Sequence, residues 1–325
     1  MNEKRYDVAI IGAGTAGLAA FRAAEAEGAR PLLIEAGPGG TTCAKEGCMP
    51  SKLLIAAAEA ADLGARADAL GVRTSIEVDG VAVMDRVRRE RDRFVGFVQD
   101  SHQAIPEAQR LRGRARFLSD QVLEVGGQRI EARTIVIATG SRPKPLPLLD
   151  TVRDRVLTSR DVFEWTDLPE SVAVFGPGVI GLELGQALAR LGVRVKIFGV
   201  GGAVGPLTDP EVRDDALAAL RQHVWIDPDA RVQSVLRDEQ GVRIEWLEDD
   251  EVRAESFEYV LSAIGRVPNL DGLGLENTSA PLNRQGHPHF DPNTLRIPGT
   301  NLFVAGDANA DRSPRPRPVY ANRAV

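Results

Sequence analysis

The chain has two cysteines, Cys43 and Cys48, separated by four residues in the segment Thr42-Cys43-Ala44-Lys45-Glu46-Gly47-Cys48-Met49-Pro50-Ser51-Lys52. A close thiol pair without other cysteines suits redox exchange or metal ligation better than a framework of structural disulfides. Tetrahedral zinc needs four ligands. The four histidines, His102, His223, His287 and His289, lie far from the pair in sequence, so no metal is expected. Pro50 falls where a helix would begin. That spacing puts Cys48 just ahead of the helix, in the positive field of its N-terminus, where a thiol ionises more readily.

Two glycine-rich segments carry a second kind of chemistry. Gly12-Ala13-Gly14-Thr15-Ala16-Gly17 follows an apolar run of strand length and opens an Ala-rich helix. In such a turn Gly12 allows the tight bend, Gly14 lets a pyrophosphate reach the backbone, and Gly17 lets helix and strand pack closely. The helix N-terminus offers free N–H groups to phosphate. Glu35 closes the next strand about 20 residues on, where a carboxylate accepts from ribose hydroxyls. Gly176-Pro177-Gly178-Val179-Ile180-Gly181 repeats the arrangement. Two such turns in one chain suggest two dinucleotides and therefore redox chemistry. The second unit departs at one point. Gly199 stands where the acid is expected, and Gly199 to Leu207 contains neither acid nor arginine. The missing arginine favours NAD over NADP.

The elements that must position these residues are read from apolar patterning. Strands are expected over Tyr6 to Ile11, Pro31 to Ile34, Thr134 to Ala138, Ser171 to Phe175, Val193 to Phe198, Tyr259 to Ile264 and Asn301 to Ala305. Helices are expected over Leu18 to Glu27, Ser51 to Leu63, Val83 to Asp100 (with Val87, Phe94 and Phe97 on its apolar side) and Leu182 to Leu191. Short strands fill Arg114 to Ile137, with a turn at Gly126-Gly127. Pro143, Pro145 and Pro147 mark a linker. Pro314, Pro316 and Pro318 read as a loop or tail.

Bulk properties bound the function. At 325 residues the chain suits two domains. It is 43 % hydrophobic and 26 % charged with a net charge of -6, which gives no reason to expect nucleic acid or an anionic membrane as partner. No apolar run reaches the roughly 20 residues of a membrane span. The N-terminus lacks the pattern of a secretory signal, so the expected compartment is the cytoplasm.

The Gly12 turn, the Cys-x4-Cys-Met-Pro-Ser-Lys segment, Ala138-Thr139-Gly140, the Gly176 turn with Glu183, Gly265-Arg266-Val267-Pro268-Asn269 and Ala305-Gly306-Asp307 occur in one order. In that order they resemble the flavin-dependent disulfide reductases, which include dihydrolipoyl dehydrogenase, glutathione reductase and mercuric reductase. The cysteine segment is most similar to the dihydrolipoyl dehydrogenase branch. The resemblance implies an α/β fold of two Rossmann-like FAD/NAD(P)-binding domains, the second inserted in the first. FAD would be bound by 1–145 plus 266–325, and NAD by 146–265. Cys43 would be the thiol that exchanges with substrate and Cys48 the thiol beside the flavin. Lys52 would lie near the flavin with Glu183 as its ion-pair partner. Gly12, Gly14, Gly17, Glu35, Thr42, Thr139, Gly140, Gly306 and Asp307 would line the FAD site, and Gly176, Gly178 and Gly181 the nicotinamide site, with Gly265 also among the cofactor-binding residues.

The substrate implied is a small-molecule or lipoyl-domain disulfide, with dihydrolipoamide reducing the cysteine pair. A mercuric or glutathione-type reductase shares the same motifs, and a flavin-binding module without turnover is a reading outside enzymes. The shorter thioredoxin-reductase type carries its cysteines in the nicotinamide domain, whereas 146–265 contains none. Members of the family continue into a domain that forms a homodimer interface and supplies a histidine base to the partner's site. Past Asp311 no such pattern is found, and the expectation is a shortened product that lacks this domain.

Overall fold

The computed structural model of the chain describes residues 4–309. The segment with Pro314, Pro316 and Pro318 lies outside the described residues. In chain order the elements are β1 (Lys4–Ile11), α1 (Thr15–Ala26), β2 (Pro31–Glu35), α2 (Thr42–Glu46), α3 (Cys48–Ala65), α4 (Gly80–Gln103), β3 (Arg110–Arg112), β4 (Ala115–Ser119), β5 (Val122–Val125), β6 (Gln128–Ile137), β7 (Ser141–Pro143) and β8 (Val156–Leu157). They continue with α5 (Ser159–Val162), β9 (Ser171–Phe175), α6 (Val179–Arg190), β10 (Arg194–Phe198), α7 (Pro210–Leu220), β11 (Trp225–Asp227), β12 (Arg231–Arg237), β13 (Val242–Glu248), β14 (Glu251–Phe257), β15 (Tyr259–Ser262), β16 (Arg266–Pro268) and β17 (Leu302–Val304).

The fold is α/β, in two compact units. The first holds residues 4–42, 95–142 and 267–309, the second 43–94 and 143–266. The expected division counted 43–94 with the first unit, but its packing groups it with the second. The reason is apolar: Leu54 and Ala58 of α3, with Met84 and Val87 of α4, are buried in one cluster with Val172, Val174, Leu184 and Leu188.

In the first unit the strands run in the order β3-β2-β1-β6-β5-β4, with β17 beside β6. β1 is parallel to both β2 and β6. Successive side chains of β1 alternate between two clusters, Ala9 and Ile11 in one and Val8 and Ile10 in the other. Burial on both faces explains why the strand reads as an unbroken apolar run.

The second unit has a parallel sheet in the order β11-β10-β9-β15-β8. One face packs on α3 and α6. The other is covered by an antiparallel sheet, β12-β13-β14, which was not among the expected elements. Between the two sheets lie Phe175, Phe198, Trp246 and Phe257. Phe198 is 5.4 Å from Trp246 and 5.5 Å from Phe175, centroid to centroid.

Within α4 the expected apolar side is only partly right. Val87 is fully buried, but Phe97 is 54 % exposed. The inward stripe of the first turns is Met84, Val87 and Arg91. Buried Arg91 donates to the Phe163 carbonyl and pairs with Glu164, which satisfies its charge.

A buried carboxylate ties α3 to α6. Asp62 of α3 lies 3.6 Å from the Arg190 guanidinium of α6 and 3.4 Å from His223, and also pairs with Arg66. Helix α3 is thus fixed at its C-terminal half by packing and charge, leaving its first turn to present side chains.

Trp246 is 2 % exposed at the centre of the aromatic cluster. Trp246→Ala is expected to destabilise the protein by about 3–5 kcal/mol. Chemical denaturation followed by circular dichroism checks this, and a loss below about 1 kcal/mol would mean that the two sheets close over the cavity.

Candidate active site

Helix α2 carries Cys43 and α3 begins at Cys48, with Gly47 as the hinge between them. Cys43 is half-buried and Cys48 exposed. Their thiols are hydrogen-bonded to each other, and the backbone N–H groups of Cys48 and Met49 donate to the Cys43 sulfur. This corrects the expected placement. Cys48 is the first residue of the helix, not a residue ahead of it, and the sulfur held over the helix N-terminus is that of Cys43. Gly47, at the N-cap, has no side chain to satisfy the orphan donors of the first turn. The Cys43 sulfur does so from outside the helix. Pro50 sits in that same first turn, where its missing N–H leaves no bond unmade.

The environment of Cys43 favours the neutral thiol. Burial penalises the thiolate most, and the hydrogen bond and charge of Cys48 add to that. The two backbone donors oppose the shift but do not outweigh it. The thiol is pushed from its ordinary 9.0 to about 11.

Lys52 lies four residues past Cys48, one turn along α3. Its Nζ donates to Glu183 Oε1 of α6 at 2.6 Å. Either residue alone would read as a surface charge, and the fold pairs them. With side chains 60 % and 36 % exposed, the pair is worth under about 1 kcal/mol in stability. Its presence beside the thiols is therefore not explained by a need to hold the fold.

The first glycine turn fits a dinucleotide. Gly12 has φ of +107°, and a Cβ there would lie 2.5 Å from the Ala138 carbonyl oxygen. A Cβ on Gly17 would lie 1.8 Å from the Gly12 oxygen. The backbone therefore requires both glycines. Gly14 differs: its φ is -73°, and an added Cβ would meet nothing within 4 Å. Nothing in the chain demands glycine there, and the open space above it suits a phosphate approaching the N-terminus of α1. Thr139 Oγ1 beside this turn is buried without a partner, which also suits a ligand. Glu35 is in place, with Oε2 accepting from the Ala13 amide and Oε1 from the Gly37 amide, both at 2.7 Å. An ionised carboxylate has about four acceptor sites, so two are left for ribose hydroxyls.

Several further residues gather near this turn. Asp307 Oδ2 accepts from Ser141 Oγ at 2.9 Å. A Cβ on Gly306 would come 2.8 Å from the Ala16 Cβ, so Asp307 follows a residue in contact with the start of α1. The Asn269 side chain donates to the Thr139 oxygen at 3.0 Å, and the Gly140 oxygen accepts from the Asn269 amide at 2.9 Å. The sequence singled out neither Ser141 nor the clamping role of Asn269. Ser141 gave no signal beyond following Gly140. Thr42, first residue of α2, is exposed.

The second turn repeats the first. Gly176 has φ of +104°, and its Cβ would lie 2.6 Å from the Ala263 oxygen; a Cβ on Gly181 would lie 2.0 Å from the Gly176 oxygen. Gly178 again has ordinary φ, -78°, and an almost empty surround. Gly265 has φ of +112°, and its carbonyl accepts from the Lys144 amide in the same unit. Among the described residues no group of three or more His, Cys, Asp and Glu is placed to hold a metal, and no helix is long and apolar enough to cross a membrane.

Known proteins share this architecture. The profile of the family described as pyridine nucleotide-disulphide oxidoreductase matches residues 6–324. Dihydrolipoyl dehydrogenase 3 of Pseudomonas aeruginosa is 37 % identical over 317 residues, covering 94 % of this chain and 67 % of the relative. A mercuric reductase of Staphylococcus aureus is 28 % identical over 93 % of this chain and 55 % of its own length. The Cu(II) complex of the HOCl-induced flavoprotein disulfide reductase RclA from Escherichia coli superposes with a TM-score of 0.75 at 26 % identity, over 95 % of this chain and 67 % of that one. The chain thus spans about two thirds of the length of this dehydrogenase.

The raised Cys43 pKa carries a stability signature. The folded dithiol holds its proton more tightly than the unfolded chain, so this contribution is complete below the ordinary 9.0 and is lost as pH rises through about 11. Between those values the melting temperature of the dithiol form should fall further than that of the disulfide form, which has no thiol to titrate. Parallel thermal melts across that range, with Cys43→Ser as control, check this. Equal slopes for both redox forms would refute the assignment.

Proposed function

We propose, from the premise that this chain belongs to the pyridine nucleotide-disulphide oxidoreductase family, that Cys43 and Cys48 form the redox disulfide of a dihydrolipoamide-oxidising enzyme. In this reading the first unit holds FAD at the Gly12 turn, with Glu35, Thr139 and Asp307. The second holds NAD, in preference to NADP, at the Gly176 turn. The observation that carries the reading is the Cys43 sulfur, bonded to the Cys48 thiol over the start of α3, one turn from the Lys52–Glu183 pair. Bound FAD supplies two-electron transfer between a nicotinamide and a disulfide.

The thiol chemistry belongs to the chain itself. One substrate thiolate attacks the Cys43 sulfur, the Cys43–Cys48 bond breaks, and Cys48 leaves as the thiolate. The second substrate thiol then attacks the mixed disulfide, which closes the substrate disulfide and releases Cys43. The substrate loses two electrons and the cysteine pair gains them. With its pKa raised to about 11, Cys43 leaves poorly as a bare thiolate and must be protonated on departure. We propose that the group handling this proton comes from a partner subunit, as the family resemblance implies. The same reading places the protein in the cytoplasm, where other thiols are kept reduced.

A second reading has a specific basis. The relatives include a mercuric reductase, and the similar structure is a Cu(II) complex. Paired thiols are soft donors, so a soft metal ion is an alternative substrate for the same pair.

Purified, FAD-loaded chain separates these. NADH oxidation is measured with an artificial dye, lipoamide, glutathione disulfide and mercuric ion as acceptors. The dye is expected to support turnover. Lipoamide is expected to be reduced in preference to glutathione disulfide and mercuric ion. Cys43→Ser should abolish lipoamide reduction and spare the dye. Lipoamide turnover that survives Cys43→Ser rules out the thiol assignment.

Gly14 tests the flavin site. Gly14→Ala should change apoprotein stability by less than about 1 kcal/mol while weakening flavin retention, because its Cβ enters the open space and nothing else. Undiminished flavin absorbance after gel filtration would show that no phosphate approaches there.

A further inference from the structure

We infer that Asp229 supplies the carboxylate that the second glycine turn lacks at Gly199, and that it receives the ribose hydroxyls of a dinucleotide without a 2′-phosphate. The inference rests on the proposal that residues 143–266 bind a nicotinamide dinucleotide.

The two units allow a residue-by-residue comparison. Glu35 follows Ile34, which pairs with Ile11. Gly199 follows Phe198, which pairs with Phe175. Gly199 therefore holds the position of Glu35. In the first unit that carboxylate accepts from two amides, those of Ala13 and Gly37. In the second, the counterpart of Ala13 is Pro177, which has no N–H to donate. Nor is there room for a side chain at 199. Its Cβ would come 2.7 Å from Pro177 Cγ and 2.5 Å from the Pro228 oxygen. The acid and its first donor are missing together.

The second donor is still held by a carboxylate. Gly201 lies two residues past Gly199, as Gly37 lies two past Glu35. Its amide donates to Asp229 Oδ1 at 2.7 Å, the same distance as Gly37 to Glu35. The acid arrives from the end of the neighbouring strand β11. Three backbone bonds fix it there: Gly199 N–H to the Asp227 oxygen, Ala230 N–H to the Gly199 oxygen and Gly202 N–H to the Pro228 oxygen. The Gly205 amide donates to the Pro177 oxygen at 2.7 Å, which ties the far end of the loop to the glycine turn. Asp229 itself is exposed, and its Oδ2 meets no hydrogen-bond partner among the described residues. It stands at the carboxyl edge of the parallel sheet, where ligands of such folds bind. A carboxylate there accepts from hydroxyls and repels a phosphate dianion.

The test reads binding, not turnover. NADH and NADPH are titrated into the FAD-loaded chain and followed by quenching of tryptophan fluorescence. Wild type is expected to bind NADH more tightly. Asp229→Asn keeps an oxygen for the Gly201 amide but removes the charge. It should narrow the preference on the order of ten- to a hundred-fold, the range of a hydrogen bond to a charged acceptor. Asp229→Ala should narrow it as well and also weaken NADH. An unchanged preference in both variants, or tighter NADPH binding by wild type, overturns the role of Asp229 alone. Failure of wild type to bind either dinucleotide overturns the nicotinamide reading and this inference with it.

Discussion

Both units depend on one steric constraint: the third glycine of each turn must bring a helix into contact with the end of a strand. No side chain fits between Gly17 and the Gly12 oxygen, or between Gly181 and the Gly176 oxygen. That approach turns the free N–H groups of α1 and α6 toward the carboxyl ends of their sheets. It also fixes the next residues of each helix. Glu183 is two residues past Gly181, so the contact that builds the turn also sets the position of the carboxylate facing Lys52. The same geometry that suits a phosphate thus positions the partner of Lys52.

Helix α3 joins three functions along its length. Its first turn receives the Cys43 sulfur, its second turn presents Lys52 and buries Leu54, and its last turns bury Ala58 and Asp62. The forces differ in scale. Burying a leucine side chain contributes about 1.5–3 kcal/mol, while the exposed Lys52–Glu183 pair contributes under about 1 kcal/mol. Apolar packing therefore holds the helix, and the polar residues of its first turns are free to serve chemistry. This also explains why residues 43–94 group with the second unit although they come after the first in sequence: the core, not chain order, decides.

The glycine turns were legible in the sequence because they express steric exclusion directly in residue type. The apolar strands were legible because both faces of each parallel sheet are buried. Lys52 and Glu183 are 131 residues apart, and no local pattern joins them; only the resemblance did. The sulfur over the helix was misassigned because the spacing Cys-x4-Cys does not say how the intervening residues turn. The sequence showed a proline and placed the helix start there, whereas α3 begins two residues earlier and α2 brings Cys43 back onto it. Asp229 escaped notice for a different reason. Its partner, Gly201, lies on another strand's loop, and no spacing rule within one strand reaches across to it.

The two thiols are made unequal by solvation and not by residue type. Cys48 is exposed, while Cys43 is half-buried and bonded to it. Burial and then the hydrogen bond and charge of Cys48 push the Cys43 thiol up, and the helix N–H groups recover only part of the shift. Cys43 therefore keeps its proton near neutral pH. A nucleophile attacking the disulfide expels the sulfur that is the better leaving group. Attack at Cys43 expels Cys48, and attack at Cys48 would expel Cys43, whose thiol is pushed up to about 11. The raised pKa of Cys43 thus supports the proposal that substrate exchanges at Cys43.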